Sequence, residues 1–340
     1  MKSILVTGGA GFIGSHFIKI LLSRHDDLKL INLDALTYAG NPANLKEVAH
    51  HPAYHFVEGN IADPELVKDL FEAHDFDYVV NFAAESHVDR SIDDAGIFVQ
   101  TNVAGTQILL DAARAAWSVP GDARGVPRYR DGVGFLQIST DEVYGTLGSR
   151  GRFKETSPLA PNSPYAASKA AADMMARAYF NTYNLPVMVT RSSNNYGPGQ
   201  YPEKLIPLMI LRALKKKSLP VYGDGQQVRD WIHVRDHCLG IERVLFRGRP
   251  GEVYNIGAVN ERKNIEVIEL ILKILGEETS LITTVQDRLG HDRRYALDSQ
   301  KITDELGWSP QVPFEAGLEE TVAWYENHPD WWLAGSGGKD

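Results

Sequence analysis

The chain has 340 residues, 43% of them apolar, a formal net charge of −9 and a single cysteine. That length suits one large domain or two unequal ones, and the negative charge argues against an extended nucleic-acid surface. A lone cysteine excludes an intrachain disulfide, and no apolar run is long enough to span a bilayer.

The first strand-like run, Ile4-Leu5-Val6-Thr7, is apolar and suits a buried parallel strand. It starts so early that no room is left for a signal peptide. The expectation is a soluble, cytoplasmic protein that binds neither nucleic acid nor membrane. Gly8-Gly9-Ala10-Gly11-Phe12-Ile13-Gly14 follows, then a helical stretch from Ser15 to Leu22. Gly9-x-Gly11-x-x-Gly14 has the dinucleotide spacing: glycines permit a tight turn, close approach to a pyrophosphate and close helix–strand packing. The helix N-terminus then faces the phosphates. A second strand, Leu30 to Leu33, ends at Asp34. An acid there bonds ribose hydroxyls and repels a 2′-phosphate, which favours NAD over NADP.

Strands at Tyr54 to Val57 and Asp77 to Phe82 lead into Gly59-Asn60-Ile61 and Ala83-Ala84-Glu85-Ser86. Segments in such positions line the ligand crevice of a doubly wound sheet. The stretch Trp117 to Gly134 mixes Gly, Pro, Arg and Asp and reads as an exposed loop. The strand Phe135 to Ile138 then feeds Ser139-Thr140-Asp141-Glu142-Val143-Tyr144-Gly145. Ser163-Pro164 supplies a cap and a first-turn proline for a helix. That helix places Tyr165 and Lys169 on one face. Tyr beside Lys is suited to taking a proton from an alcohol while hydride leaves its carbon. The neighbouring acids Asp141 and Glu142 suggest a second chemistry, elimination of water, for which one carboxyl is protonated while the other is ionised.

Strand and helix patterns alternate to about Val189, which predicts an α/β fold with a Rossmann-type doubly wound parallel sheet. After Arg191 short Pro-, Gly- and Tyr-rich motifs dominate, between helices at Leu205 to Leu214 and Ile265 to Leu275. The division expected is an NAD-binding part at 1–190, a smaller C-terminal substrate-binding lobe at 191–332, and a flexible tail at 333–340. Val253 to Ile256 reads as a strand able to rejoin the sheet. His87 and His291 have no third ligand-type residue at metal spacing, so no metal is expected. Cys238 reads as a packed small hydrophobe.

Longer motifs narrow the reading. They are Asp34-Ala35-Leu36-Thr37-Tyr38-Ala39-Gly40-Asn41, Ala84-Glu85-Ser86-His87-Val88-Asp89-Arg90-Ser91 and Ser139 to Gly145. The second half adds Ser193-Asn194-Asn195-Tyr196-Gly197-Pro198, Tyr201 to Leu205, Tyr222-Gly223-Asp224-Gly225, Arg229-Asp230-Trp231 and Asp287 to Tyr295. On these motifs the chain resembles the dTDP-glucose 4,6-dehydratase family of the extended short-chain dehydrogenase/reductases, from Met1 to about Trp332.

The resemblance implies a lyase of deoxysugar biosynthesis that keeps and regenerates its NAD. Tyr165, with a pKa lowered by Lys169 and the nicotinamide charge, takes the 4-hydroxyl proton of dTDP-glucose. Glu142 is then the base at C5, Asp141 the acid at the 6-hydroxyl, and Thr140 a hydrogen-bond partner of the 4-oxygen. Cofactor contacts are implied at Gly8, Gly11, Phe12, Ile13, Gly14, Asp34, Thr37, Asn60, Ile61, Ala83, Thr101, Tyr165, Lys169 and Asn195. Asn60 stands where the family commonly has Asp, which implies a small change in NAD affinity. Sugar-nucleotide contacts are implied at Ser86, Thr140, Asn194, Lys204, Leu205, Pro220, Tyr222, Arg229, Asn264, His291 and Tyr295. Lys204 and Arg229 suit a diphosphate. A homodimer through the stretch Asn102 to Ala116 and the helix after Tyr165 is also implied.

Three other readings stay open. A nucleotide-sugar 4-epimerase shares the glycine turn, Tyr165 and Lys169 but has no use for Asp141-Glu142. A dehydratase of another nucleotide sugar keeps every motif. A non-catalytic NAD-binding protein does not need Tyr165, Lys169 and the acidic pair together.

Overall fold

The computed structural model describes residues 1–120 and 126–335. Strands β1 (Lys2–Thr7), β2 (Leu28–Asp34), β3 (Tyr54–Glu58) and β4 (Tyr78–Asn81) come first. A small hairpin, β5 (Ser118–Val119) and β6 (Arg128–Tyr129), precedes β7 (Gly134–Thr140), β8 (Val187–Ser192) and β9 (Asn194–Tyr196). The rest are β10 (Leu219–Tyr222), β11 (Val228–His233), β12 (Val253–Ile256), β13 (Glu261–Lys263) and β14 (Ile282–Val285).

Seven strands form one sheet in the order β12-β8-β7-β4-β1-β2-β3, and every pairing in it is parallel. Chain order reverses between β1 and β4, so the crevice opens at the carboxyl ends of those two strands. Alternation along each strand supplies both faces of the sheet. Leu5, Ile31, Val79, Phe135 and Val187 pack against Val67, Leu110, Trp117 and Ala176 from helices Pro64–Ala73, Thr106–Trp117 and Pro164–Tyr183. Ile4, Val6, Leu30, Val80 and Leu136 pack against Phe17, Ile18, Cys238 and Ile241 from helices Phe12–Arg24 and Val234–Arg247. Burial of that width on both faces explains the near-continuous apolar strands.

A third core joins helices Leu205–Leu214, Asn264–Leu275 and Phe314–Asn327 through Ile210, Trp231, Ile268, Leu318 and Tyr325. Around it lie the pair β10–β14 and the three-stranded set β13-β11-β9. The chain from 253 to 256 returns to the large sheet as its edge strand, paired with β8.

Two expectations are corrected. The loop predicted from Trp117 to Gly134 starts inside a helix and contains the β5–β6 pairing. The Trp117 indole donates to the Phe76 carbonyl at 2.7 Å, and the Arg130 amide donates to the Trp117 carbonyl at 2.9 Å, which tacks the segment down. Residues 121–125 lie outside the described residues. The tail expected from 333 is helical to Gly335, in a helix that starts at Pro329; residues 336–340 lie outside the described residues.

Candidate active site

A cleft of about 390 Å³ runs along the carboxyl ends of the central strands, a size that suits a bound small molecule. Its floor is the glycine turn between β1 and helix Phe12–Arg24. Gly8 has φ +70°, and a Cβ there would lie 2.6 Å from the Ala83 amide nitrogen. A Cβ on Gly14 would lie 2.4 Å from the Gly8 carbonyl oxygen. Only glycine lets these segments touch. Asp34, at the end of β2, braces the turn: one carboxylate oxygen accepts from the Ala10 amide and the other from the Leu36 amide, both at 2.8 Å. Each oxygen keeps acceptor capacity for a further donor. Burial pushes the Asp34 carboxyl up, while these two amides hold it down. Asn60 accepts from the Ala62 amide at 2.9 Å through its side-chain oxygen, a bond that an aspartate would make equally.

On the other side of the switch point, β7 ends at Thr140 and the chain turns once through Asp141–Tyr144. The Thr140 hydroxyl oxygen accepts from the Glu142 amide at 3.3 Å and donates to Asp141 Oδ1 at 3.2 Å. Gly145 closes the turn at φ +82°, where a Cβ would lie 2.3 Å from the Ala160 carbonyl oxygen. Asp141 is 1% exposed, and its Oδ2 has no hydrogen-bond partner.

The helix Pro164–Tyr183 begins where the sequence indicates. Pro164 takes the first position, and the Ser163 hydroxyl oxygen accepts from the Ala166 amide at 3.1 Å. Tyr165 and Lys169 are both buried one turn apart. Lys169 Nζ donates to the Ile138 carbonyl at 2.7 Å. Burial pushes the Lys169 ammonium down to about 8, against the pull of Asp173. Asp173 itself pairs with Arg191 at 2.8 Å.

Charge separates the two acids. Burial raises Asp141 well above the usual carboxylate range, and Glu142 and Asp230 push it further. Burial also raises Glu142, but Arg288, Lys204 and Arg229 pull it back. Burial thus raises both carboxyls, Asp141 the further, and Glu142 faces more of the cations. Burial, Glu142 and Asp141 raise the Tyr165 phenol, and the Thr140 hydroxyl is the group that opposes them. Lys169 spends its bond on Ile138, so the protein's own charges do not lower Tyr165.

All the expected cofactor residues line this cleft: Gly8, Gly11, Phe12, Ile13, Gly14, Asp34, Thr37, Asn60, Ile61, Ala83, Thr101, Tyr165, Lys169 and Asn195. So do Thr140, Asp141, Glu142, Ser86, Asn194, Lys204 and Leu205. Pro220, Tyr222, Arg229, Asn264, His291 and Tyr295 do not. Most of these gather in a second cluster. The Arg229 guanidinium lies 4.4 Å from the centre of the Tyr295 ring and donates to the Val228 and Asp292 carbonyls, each at 2.9 Å. His291 shares a 2.6 Å contact with Asp287, and its ring meets Tyr222 edge-on at 6.2 Å. Asn264 opens helix Asn264–Leu275 with a buried, unpartnered Oδ1. Pro220 pairs with Thr283 in the β10–β14 ladder. Cleft and cluster meet electrostatically at Glu142, through Arg229 and Arg288.

Reading the sequence did not assign Arg288, Gln200 or Trp231 to the site. Gln200 and Trp231 line the cleft with buried, unpartnered polar atoms, Oε1 and Nε1. Their presence in or beside the quoted motifs is the signal that was available. Among the described residues no group of three or more His, Cys, Asp or Glu is placed to hold a metal ion.

Residues 5–321 match the family model described as GDP-mannose 4,6 dehydratase. A dTDP-glucose 4,6-dehydratase from Xanthomonas campestris pv. campestris (strain B100) is 53% identical, over 97% of this chain and 95% of that one. The chain belongs to the dTDP-glucose 4,6-dehydratase family. The family's solved structures agree with the fold. The enzyme from Bacillus anthracis str. Ames, in complex with NAD, superposes with a TM-score of 0.89 at 51% identity, covering 99% of this chain and 100% of that one. That from Streptomyces venezuelae, with NAD and dTDP bound, gives 0.91 at 50% identity, covering 98% and 100%. Membership in the family accounts for a cleft that carries a dinucleotide turn, a Tyr/Lys pair and an acid/base pair together.

Proposed function

We propose that this protein converts dTDP-glucose into the 4-keto-6-deoxy nucleotide sugar and keeps its NAD through the cycle. The observation that carries the reading is that Asp141 and Glu142, in the turn directly after β7, line the same cleft as Tyr165. An epimerase has no need for that pair.

The cleft fits NAD. Gly8 and Gly14 leave no room for a Cβ, so backbone closes tightly at the helix N-terminus. Asp34 offers a carboxylate to the ribose and opposes a 2′-phosphate. NAD, when bound, supplies the hydride acceptor and donor and the positive ring charge of its oxidised form. Tyr165 takes the 4-hydroxyl proton, and Lys169 stands one helical turn away as a cation. The Thr140 hydroxyl, beside both Tyr165 and Asp141, orients the 4-oxygen. Once C4 is a ketone, the hydrogen at C5 is acidic. Glu142, which faces the cations Arg288, Lys204 and Arg229, removes it. Asp141, kept protonated by burial, gives its proton to the departing 6-hydroxyl, and water leaves. The hydride lost from C4 would be returned at C6 while Glu142 gives a proton back to C5, so the carbon skeleton is unchanged and no net oxidation occurs.

We propose that the nucleotide end of the substrate meets the Arg229, His291 and Tyr295 cluster, with Lys204 at the diphosphate. The working division is a dinucleotide-binding part at 1–190 under a lobe drawn mostly from 191–332, with β12 returning to the sheet. We further propose a homodimer through helices Thr106–Trp117 and Pro164–Tyr183. Met174, 55% exposed on the second of these, supports an apolar contact there. Cytoplasmic residence is in keeping with the buried free thiol of Cys238.

The test is a mass spectrum of dTDP-glucose after incubation with the purified protein in heavy water, with no NAD added. The expected product has lost one water and carries one deuterium at C5. Unchanged substrate, with or without added NAD, would contradict the reading and lead to UDP-, GDP- and CDP-hexoses.

A further inference from the structure

The last two helices, Phe314–Asn327 and Pro329–Gly335, lie far in sequence from the glycine turn, yet they reach both walls of the cleft. On one wall the Trp331 indole Nε1 donates to Asn44 Oδ1 at 2.8 Å. Asn44 Nδ2 in turn donates to the Ala10 carbonyl at 3.0 Å. That carbonyl also accepts from the Asn41 amide at 3.1 Å, and the Ala10 amide is the one Asp34 holds. The chain from Trp331 to the glycine turn is therefore two side-chain hydrogen bonds long. On the other wall the Tyr325 hydroxyl donates to the Gln200 carbonyl. Gln200 Nε2 donates to the Asn195 carbonyl at 3.0 Å, and both Gln200 and Asn195 line the cleft.

The two chains share one anchor. Trp324 meets Trp331 edge-on at 5.0 Å and Tyr325 at 5.0 Å. The Trp332 indole donates to the Tyr325 carbonyl at 3.1 Å. Tyr325 is fully buried. The rings pack as one interlocking group. Neither Trp331 nor Tyr325 lines the cleft, so neither touches what binds there.

We propose that Tyr325 and Trp331 are positioning residues that buckle the two walls of the dinucleotide cleft together and so set how long NAD stays bound. The proposal rests on the reading that this cleft holds NAD. It adds to that reading a reason for retention. An enzyme that regenerates its cofactor within one turnover gains nothing from releasing it, and a cleft tied at both walls opens less often.

The test uses full-length Trp331→Phe, Tyr325→Phe and the double variant. Tyr325→Phe keeps its ring and loses only its donor, whereas Trp331→Phe loses the indole donor together with part of the surface that packs on Trp324. NAD per chain is measured after gel filtration, with its release rate by dilution and the KM for added NAD. The double variant is expected to release NAD roughly tenfold faster, the effect of losing two ordinary hydrogen bonds. Its KM for NAD rises in step, while kcat at saturating NAD stays within about twofold of the parent. A folded double variant with a lower Tm and unchanged NAD release would overturn the proposal, because a purely structural role predicts that pattern. Asn44→Asp gives an independent reading, since it keeps the acceptor for Trp331 and removes the donor to Ala10. It too is expected to release NAD faster, and unchanged release would overturn the proposal even if the double variant failed to fold. A parent protein that held no NAD at all would contradict the functional reading and this proposal with it.

Discussion

The dinucleotide cradle and the sugar-nucleotide cluster are built on opposite plans. The cradle is backbone: Gly8 to Gly14 in one turn, braced by Asp34 through the Ala10 amide. The cluster is side chains brought from separate places, Tyr222 on β10, Arg229 on β11, and His291 and Tyr295 on a later loop. The glycine pattern of the cradle is local in sequence, although Asp34 and, through Asn44, Trp331 brace it from elsewhere. A side-chain cluster forms only once the lobe has folded, and each member depends on its neighbours. Asp141 and Glu142 sit where the two meet.

Several substitutions test that contrast. The largest effect is expected at Tyr165→Phe, which removes the first proton acceptor. Turnover should fall by roughly 10²–10⁴, the usual weight of a general base. Reduced cofactor accumulating at a normal rate in a single turnover would show that Tyr165 is not the base. Glu142→Gln should cost elimination a similar factor, roughly 10²–10⁴, but leave the first oxidation running. The signature is absorbance of reduced cofactor that builds on mixing with substrate and does not decay. Full dehydratase activity in this variant would dismiss Glu142 as the C5 base.

On the cluster side, Arg229→Lys loses the stack on Tyr295 and the planar reach to two carbonyls. Roughly 1–3 kcal/mol of stability should go with it, since buried acceptors lose their donors. A thermal melt checks this, and an unchanged Tm would show that the cluster tolerates replacement as the cradle does not.

The pH profile tests the junction. Activity needs Glu142 ionised, so it falls as pH drops through a carboxyl that burial has raised. Lys169 holds the Ile138 carbonyl beside Tyr165 as a charged donor, and that ammonium deprotonates as pH rises through about 8, so activity falls there too. The expected kcat profile is a bell, and Lys169→Arg should move only its alkaline limb. The smallest effect is expected at Asn60→Asp. The acceptor for the Ala62 amide is retained, so NAD affinity should change by less than about threefold, the scale of a surface substitution. A larger change on titration with NAD would mean that the side chain meets the cofactor directly.

The same contrast explains what was legible in the sequence. The glycine turn, Asp34 and the Tyr165/Lys169 pair are local patterns with a physical reason, and the structure places them together in the cleft, with the Ser163-Pro164 cap starting the helix that carries the pair. The central strands were legible from their apolar runs, because a sheet covered on both faces leaves few polar positions. The second cluster was visible only as motifs. That Arg229 faces Tyr295 and the Asp292 carbonyl, that Arg288 draws on Glu142, or that Trp331 reaches Ala10 through Asn44 depends on packing between elements that no local spacing encodes. The protonation split was equally hidden, since it follows from how deeply each acid is buried and which cations face it. That Lys169 turns to the Ile138 carbonyl was hidden for the same reason.

The central claim is that one of two adjacent carboxyls holds a proton while the other does not. Infrared difference spectroscopy at neutral pH reads this directly, from the carbonyl stretch of a protonated carboxylic acid in the parent, Asp141→Asn and Glu142→Gln proteins. The band should vanish in Asp141→Asn and persist in Glu142→Gln. A band that vanished in Glu142→Gln and persisted in Asp141→Asn would reverse the acid and base assignments and contradict the account.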